Sequence, residues 1–272
     1  MKTHLKTLLL IAISLMATVG LNAQEPFFFT KDGLKITLAE KDGKGKINGY
    51  SQSTVVSVEG EPSNCTVVYK TMVMDNKKKP LLNEEMDMKI YIKDGVVTFD
   101  PTSLAGKLME GMTVSGDNLI LPADVAVGDV LKDYTITVNI GAMKTTTATS
   151  DIKVTGEETL DIGGTAIDCL IVESTVLSKV IGIKQQMKQK IWYGRGIGPV
   201  KTETYNKKGK LMSVQEMNEA LENDEIGGVT KLKIVAKVSK LSILAISAGL
   251  KDLDLNELMK DAKKTAPEET KE

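Results

Sequence analysis

Apolar and polar residues alternate with period two along most of the chain between residues 34 and 217. Leu34, Ile36 and Leu38 begin the pattern. Met86, Met88, Ile90 and Ile92 alternate against Glu85, Asp87, Lys89 and Lys93. Tyr134, Ile136, Val138 and Ile140 alternate against Thr135, Thr137 and Asn139. This period predicts half-buried strands with one wet face. Runs at 47–58, 65–74, 96–99, 118–121, 145–155 and 165–177 read as further strands. Between them, Gly-, Asn-, Asp- and Lys-rich stretches at 41–45, 76–80, 93–95 and 163–164 supply turn chemistry. Phe27, Phe28 and Phe29 predict a first strand or a plug over the core.

The most informative stretch is 188–217. Met187, Gln189, Ile191 and Tyr193 fall on one face of a strand, and Lys188, Lys190 and Trp192 on the other. Gly194, Gly196 and Gly198 then permit a tight reversal or bulge. Pro199 belongs at a strand start or edge, because it cannot donate to a ladder. A second strand, 200–205, carries Lys201. The run from Asn206 to Lys210, with Gly209, turns the chain into a third strand at 211–217. The glycine-rich GRGIG is not a nucleotide loop. Such a loop opens a helix toward phosphate, and here Pro199 and a Val/Thr/Tyr-rich run follow.

Two segments carry helical signals. Asp100-Pro101-Thr102-Ser103 reads as a helix start, with Leu104, Leu108 and Met109 on one face. Near the C-terminus, Leu255, Leu258, Met259 and Ala262 stand at helical spacing after Asp254. Residues 229–250 fit a strand or an amphipathic helix, and lean helical after Ser239. The predicted fold is therefore mostly β: a large antiparallel meander curled as a half-barrel or open barrel, with a short helix and a helical C-terminal extension. Its predicted parts are a signal peptide at 1–23, an antiparallel β-domain at 24–221, a partly helical extension at 222–264 and a disordered tail at 265–272. The stretch 76–86 faintly echoes 206–217, and chance likeness of Lys-rich turns explains this better than duplication.

The run WYGRGIGPVKTE, followed by YNKKGKL, resembles the C-terminal hairpin of a family of secreted envelope proteins of Bacteroidota called TapB-like. TAIDCLIVES resembles the strand preceding that hairpin, with weaker similarity at LILPADVAVGDVL and KDGLKIT. The likeness spans residues 27–217 and carries structural motifs, Trp192, Tyr193, Gly194, Gly196, Gly198, Lys201 and Gly209 among them. It implies a fold, an envelope location and a Gram-negative host, without an activity.

Lys2 and Lys6, an apolar run at 8–21 and a small residue at Ala23 read as a secretory signal, too short for a span. No cysteine follows this run, which speaks against lipid attachment. The expectation is export to the periplasm or to an outer-membrane-associated site, with no transmembrane span after cleavage. Losing residues 1–23 takes the formal charge from −1 to −3 and removes His4, the one histidine. The remaining chain then lacks histidine-dependent catalysis, histidine metal sites and histidine pH switches. Nucleic acid is not expected as a partner, because phosphate binding needs clustered Lys and Arg. No catalytic, cofactor-binding or metal site is expected.

Cys65 and Cys169 would meet an oxidising compartment, where a disulfide is permitted. Cys169 lies between Ile167 and Ile171 on an apolar face, so two free core thiols are favoured. The methionines, Met72, Met74, Met86, Met88, Met187, Met212 and Met217 among them, read as core filler. Carboxylates at Glu84, Glu85 and Asp87, and at Glu157, Glu158 and Asp161, read as solvated surface. Two function classes remain. One is a non-enzymatic envelope protein that binds a protein partner. The other is a carrier sheltering a lipid or lipoprotein acyl chain against an apolar face of Met88, Ile90, Ile136, Val138 and Ile191. A continuous apolar cavity would distinguish the carrier.

Overall fold

A computed structural model describes residues 25–81, 86–104, 112–141, 143–180, 183–221 and 234–235. The first meander is β1 (Lys35–Asp42), β2 (Ile47–Glu61), β3 (Asn64–Asp75), β4 (Met86–Lys93) and β5 (Val96–Phe99). Two short strands follow, β6 (Met112–Gly116) and β7 (Leu119–Leu121). The second meander is β8 (Tyr134–Ile140), β9 (Met143–Ile162), β10 (Thr165–Val180), β11 (Ile183–Gly194), β12 (Gly198–Asn206) and β13 (Leu211–Leu221). A two-residue strand, β14 (Ile234–Val235), adds to β13.

These strands form one antiparallel sheet, in the order β6-β8-β9-β10-β11-β12-β13-β1-β2-β3-β4-β5-β7. Two features join the meanders. β1 pairs with β13, from Lys35↔Leu221 to Asp42↔Ser213. At the opposite side the chain crosses over: β6 pairs with β8, while β7 pairs with β5. The two edges of the sheet are thus separated by only Asp117 and Asn118. The sheet curls until its edges meet through the chain itself, without a ladder closing them.

The curl encloses one main core. Phe27, Phe28 and Phe29 enter it as a plug, packed against Tyr69, with Met88, Ile90, Phe99, Leu121, Ile136, Val138 and Val172 in the same cluster. Val176 and Met187 make a small second cluster with Met212. Buried hydroxyls share the sheet with this apolar core, among them Thr145, Thr147 and Thr149 on β9 and Thr202 and Thr204 on β12. Outward positions of β4, β10 and β11 carry Lys89, Glu173, Lys179, Lys184 and Lys188, all exposed. A lipid-facing barrel wall needs an apolar band there.

β9 and β10 are 20 and 16 residues long, and strands of this length must bend. Their ladder shifts register at Ile171/Val172 and again at Glu173/Thr175. Asp151, at φ +54°, lies in the second bulge.

The expected short helix is a single 3-10 turn, Pro101–Leu104, capped by Asp100 through the Thr102 backbone N–H at 2.8 Å. Leu108 and Met109 lie outside the described residues. So do the signal segment 1–23, the extension 222–264 apart from Ile234–Val235, and the tail 265–272.

Three turns share one construction. Asp42 accepts from the N–H groups of Lys44 and Lys46, Asp75 from those of Lys77 and Lys79, and Asn206 from those of Lys208 and Lys210. The residue before the last is left-handed each time: Gly45, Lys78 and Gly209. The turn geometry aligns Asp75 with Asn206, whereas the sequence echo aligns Asn76 with Asn206. The echo is turn chemistry, not a repeat in register.

Donation from Lys44 and Lys46 holds the Asp42 carboxyl below its ordinary range, and donation from Lys79, then Lys77, does so for Asp75. The folded value lies below the unfolded one, so this stabilisation is complete above the unfolded value and is lost as pH falls through the folded one. Asp42→Asn with Asp75→Asn keeps both turns, as Asn206 does natively. Thermal melts from about pH 5 to about pH 3 should then show a smaller acid loss than the parent. Identical acid profiles would remove the carboxylates from that account.

Candidate functional site

The β9–β10 hairpin runs past the rest of its sheet. β11 last pairs with β10 at Cys169↔Gly194, while β10 continues back to Thr165. The projecting arm overhangs the tight turn between β11 and β12. Between arm and turn lies an open cleft of about 640 Å³. Glu157, Glu158 and Thr159 line it from β9, Thr165 to Leu170 from β10, Arg195 and Ile197 from the turn, and Phe27 from the plug.

The turn is fixed from below. Arg195 Nη1 donates to the carbonyls of Glu25 and Ala123, both at 3.0 Å, and its guanidinium carbon stands 4.1 Å from the Phe27 ring centre. Gly196 donates its N–H to the Pro26 carbonyl at 2.8 Å. It sits at φ +66°, and a Cβ there would meet the Glu25 carboxylate at 2.3 Å. Gly196→Val should therefore destabilise by ~1–3 kcal/mol, mostly from backbone strain because Glu25 can swing away. An unchanged denaturation midpoint would contradict it. A Cβ on Gly194 would meet the Ile167 and Val200 methyls at 2.9 and 3.0 Å, and Gly198 sits at φ +86°.

Trp192 is the other anchor. Its ring is buried although it faces the lysine side of its strand. Lys201 Nζ lies 4.4 Å and Lys190 Nζ 4.8 Å from the ring centre, so their stems cover it. The indole Nε1 donates to Glu158 Oε2 at 2.8 Å, tying the arm to β11. Lys201 pairs with Glu203, which also accepts from the Tyr205 hydroxyl. Desolvation raises the Glu203 carboxyl, and the Lys201 and Tyr205 bonds outweigh it, leaving a net lowering. Gly209 belongs to the distant turn, and Tyr193 faces two small internal spaces.

The proposed ligand face is buried throughout: Met88 1 %, Ile90 3 %, Ile136 7 %, Val138 8 % and Ile191 9 % exposed. Met88 and Ile90 line a small space of about 50 Å³, and Ile191 another of about 30 Å³. Ile136 and Val138 pack in the main core and line neither space.

Cys65 and Cys169 are free and buried. Burial, then the charges of Asp168 and Glu158, push the Cys169 thiol up to about 12, and burial raises Cys65. Neither is a thiolate nucleophile at neutral pH. Two thiols should titrate after denaturation without reductant, and both should react slowly when folded. A count of zero after denaturation would reveal a disulfide.

The cleft escaped the sequence reading, which placed Glu157, Glu158 and Asp161 on solvated surface. A signal was available. Between Lys153 and Lys179 stand Glu157, Glu158, Asp161, Asp168 and Glu173, with no lysine or arginine, in a chain holding 35 of them.

The fold is a curled, crossed-over antiparallel sheet with a projecting acidic arm. A family model described as DUF3108-like matches residues 31–217, and the chain belongs to that family, a domain of unknown function. In fold it is similar to a protein described as exported, with a YmcC-like fold, from Bacteroides fragilis NCTC 9343. The TM-score is 0.62 at 21 % identity, over 73 % of this chain and 100 % of that one. It is also similar to a protein described as a lipoprotein from Parabacteroides distasonis ATCC 8503. There the TM-score is 0.62 at 18 % identity, over 72 % of this chain and 98 % of that one. No curated protein matches the chain.

Proposed function

We propose that this chain is an exported, non-enzymatic protein of the cell envelope that acts by binding a protein partner through its β-domain. The observation that carries the reading is the filled interior. An acyl carrier needs a cavity of several hundred Å³. Among the described residues the core holds spaces of about 50 and 30 Å³, and a cleft of about 640 Å³ is open and has charged walls. The titratable side chains of that cleft are carboxylates, a neutral thiol and an arginine engaged with backbone and ring, which supply no nucleophile–base pair. Structural neighbours described as exported or as a lipoprotein support the envelope location, as does the TapB-like resemblance of the 192–211 hairpins.

The test is purification from the native envelope after in-cell cross-linking, with mass spectrometry of both proteins and lipids. One protein recovered in stoichiometric amount, lipid-free, is the expected result. A stoichiometric acyl chain without protein would overturn it in favour of the carrier. In that case Ile136→Glu, shown folded by circular dichroism, should abolish lipid binding, and Lys89→Glu should not.

A further inference from the structure

We infer that the cleft under the β9–β10 arm takes an extended, cationic peptide segment of a protein partner, added as a strand to the edge of β10 at residues 165–168. The inference rests on the partner-binding reading and names the surface and the chemistry.

The edge comes first. Residues 165–168 pair with β9 on one side, through Thr165↔Ile162 to Asp168↔Thr159. On the other side the ladder with β11 ends at Cys169↔Gly194, and no described strand continues it. A strand edge carries a row of backbone donors and acceptors, which an extended chain can meet. Here that row faces a concavity of about 640 Å³ instead of a flat surface. The floor is fixed, because Arg195 and the Gly196 N–H hold the turn to the plug.

The charge comes second, and it selects the occupant. Glu157, Glu158 and Asp168 line the cleft. Glu158 accepts from Trp192, and Asp168 accepts from the Thr159 hydroxyl at 2.6 Å, both neutral donors. Among the described residues none of the three has a cationic partner in an ion pair. The one cation lining the cleft, Arg195, is engaged with the Glu25 and Ala123 carbonyls and the Phe27 ring. A segment alternating basic with small apolar residues meets both demands: backbone for the edge, cations for the walls, and apolar groups for Ile167, Ile197 and Phe27.

Trp192, the only tryptophan and bonded to Glu158, is a built-in reporter. The purified protein is titrated with a short capped peptide of alternating lysine and valine, following Trp192 emission at low salt. Saturable binding that weakens as salt rises is expected. The glutamate–valine counterpart should not bind. The lysine peptide N-methylated at alternate residues, in both registers, should lose at least about tenfold in affinity, because it keeps its charge but cannot join a ladder. Glu157→Gln with Asp168→Asn should weaken the parent peptide by a similar factor, while Lys89→Glu, remote on β4, should leave it unchanged. Equal binding by the methylated peptides reduces the site to charge attraction and overturns the strand addition. Equal binding by the double variant, or no binding by the parent peptide, overturns the site. The native partner separates this from the broader reading: if it still cross-links to the double variant, partner binding stands and the cleft is not where it occurs.

Discussion

Replacing Gly116 with alanine is expected to lower the unfolding free energy by about 3 kcal/mol or more, combining backbone strain with a clash that cannot relax. Gly116 closes β6 at φ +142°, a region that side chains avoid. A Cβ there would stand 2.1 Å from the Thr135 carbonyl oxygen and 2.8 Å from the Ile136 Cα. Both are backbone atoms of β8, and Ile136 is the ladder partner of Gly116. No flexible side chain can give way. Gly45→Ala is the control, because Gly45 has φ +83° but nothing within 4 Å of its would-be Cβ. It should cost only ~1 kcal/mol, from φ alone. Urea unfolding reads both, and equal midpoints for the two variants would show that the crossover yields.

Two substitutions at Tyr69 should differ sharply in their effect on stability. Its ring is fully buried, 5.6 Å from the centres of both Phe28 and Phe29. Tyr69→Ala removes the ring that the plug rests on and should cost ~3–5 kcal/mol. Among the described residues its hydroxyl has no hydrogen-bond partner, and burial holds its pKa far above the usual phenol range. Removing an orphaned buried hydroxyl while keeping the ring relieves a desolvation cost, so Tyr69→Phe should be neutral or stabilise by up to ~1 kcal/mol. A loss above that in urea melts of Tyr69→Phe would mean the hydroxyl is bonded after all.

Local chemistry was legible in the sequence, and pairing between distant strands was not. Alternation located the strand of Met88, Ile90 and Ile92, and Asn206 with Gly209 located a turn, because both signals lie within a few residues. The three phenylalanines at 27–29 read as a first strand or a plug, and the plug is what they form. Alternation placed Trp192 on the strand face of Lys188 and Lys190. It is buried on that side because two lysine stems lie over it, a covering that period-two reasoning does not contain. The exchange of β6 and β7 between halves had no local mark beyond Gly116. The cleft needed two facts invisible in one strand: where β11 stops pairing, and how far β10 continues.

The pairing of β1 with β13 also constrains how the protein is made. The ion pair between Lys41 and Glu216 joins residues 175 apart in the chain. The second meander can form from near neighbours, but β1 has no partner on that side until residues 211–221 exist. Loop closure of this length is slow, and sheets rich in such contacts fold late. Until that segment is present, β1 stays open along one edge, a row of backbone donors and acceptors that a second chain could meet.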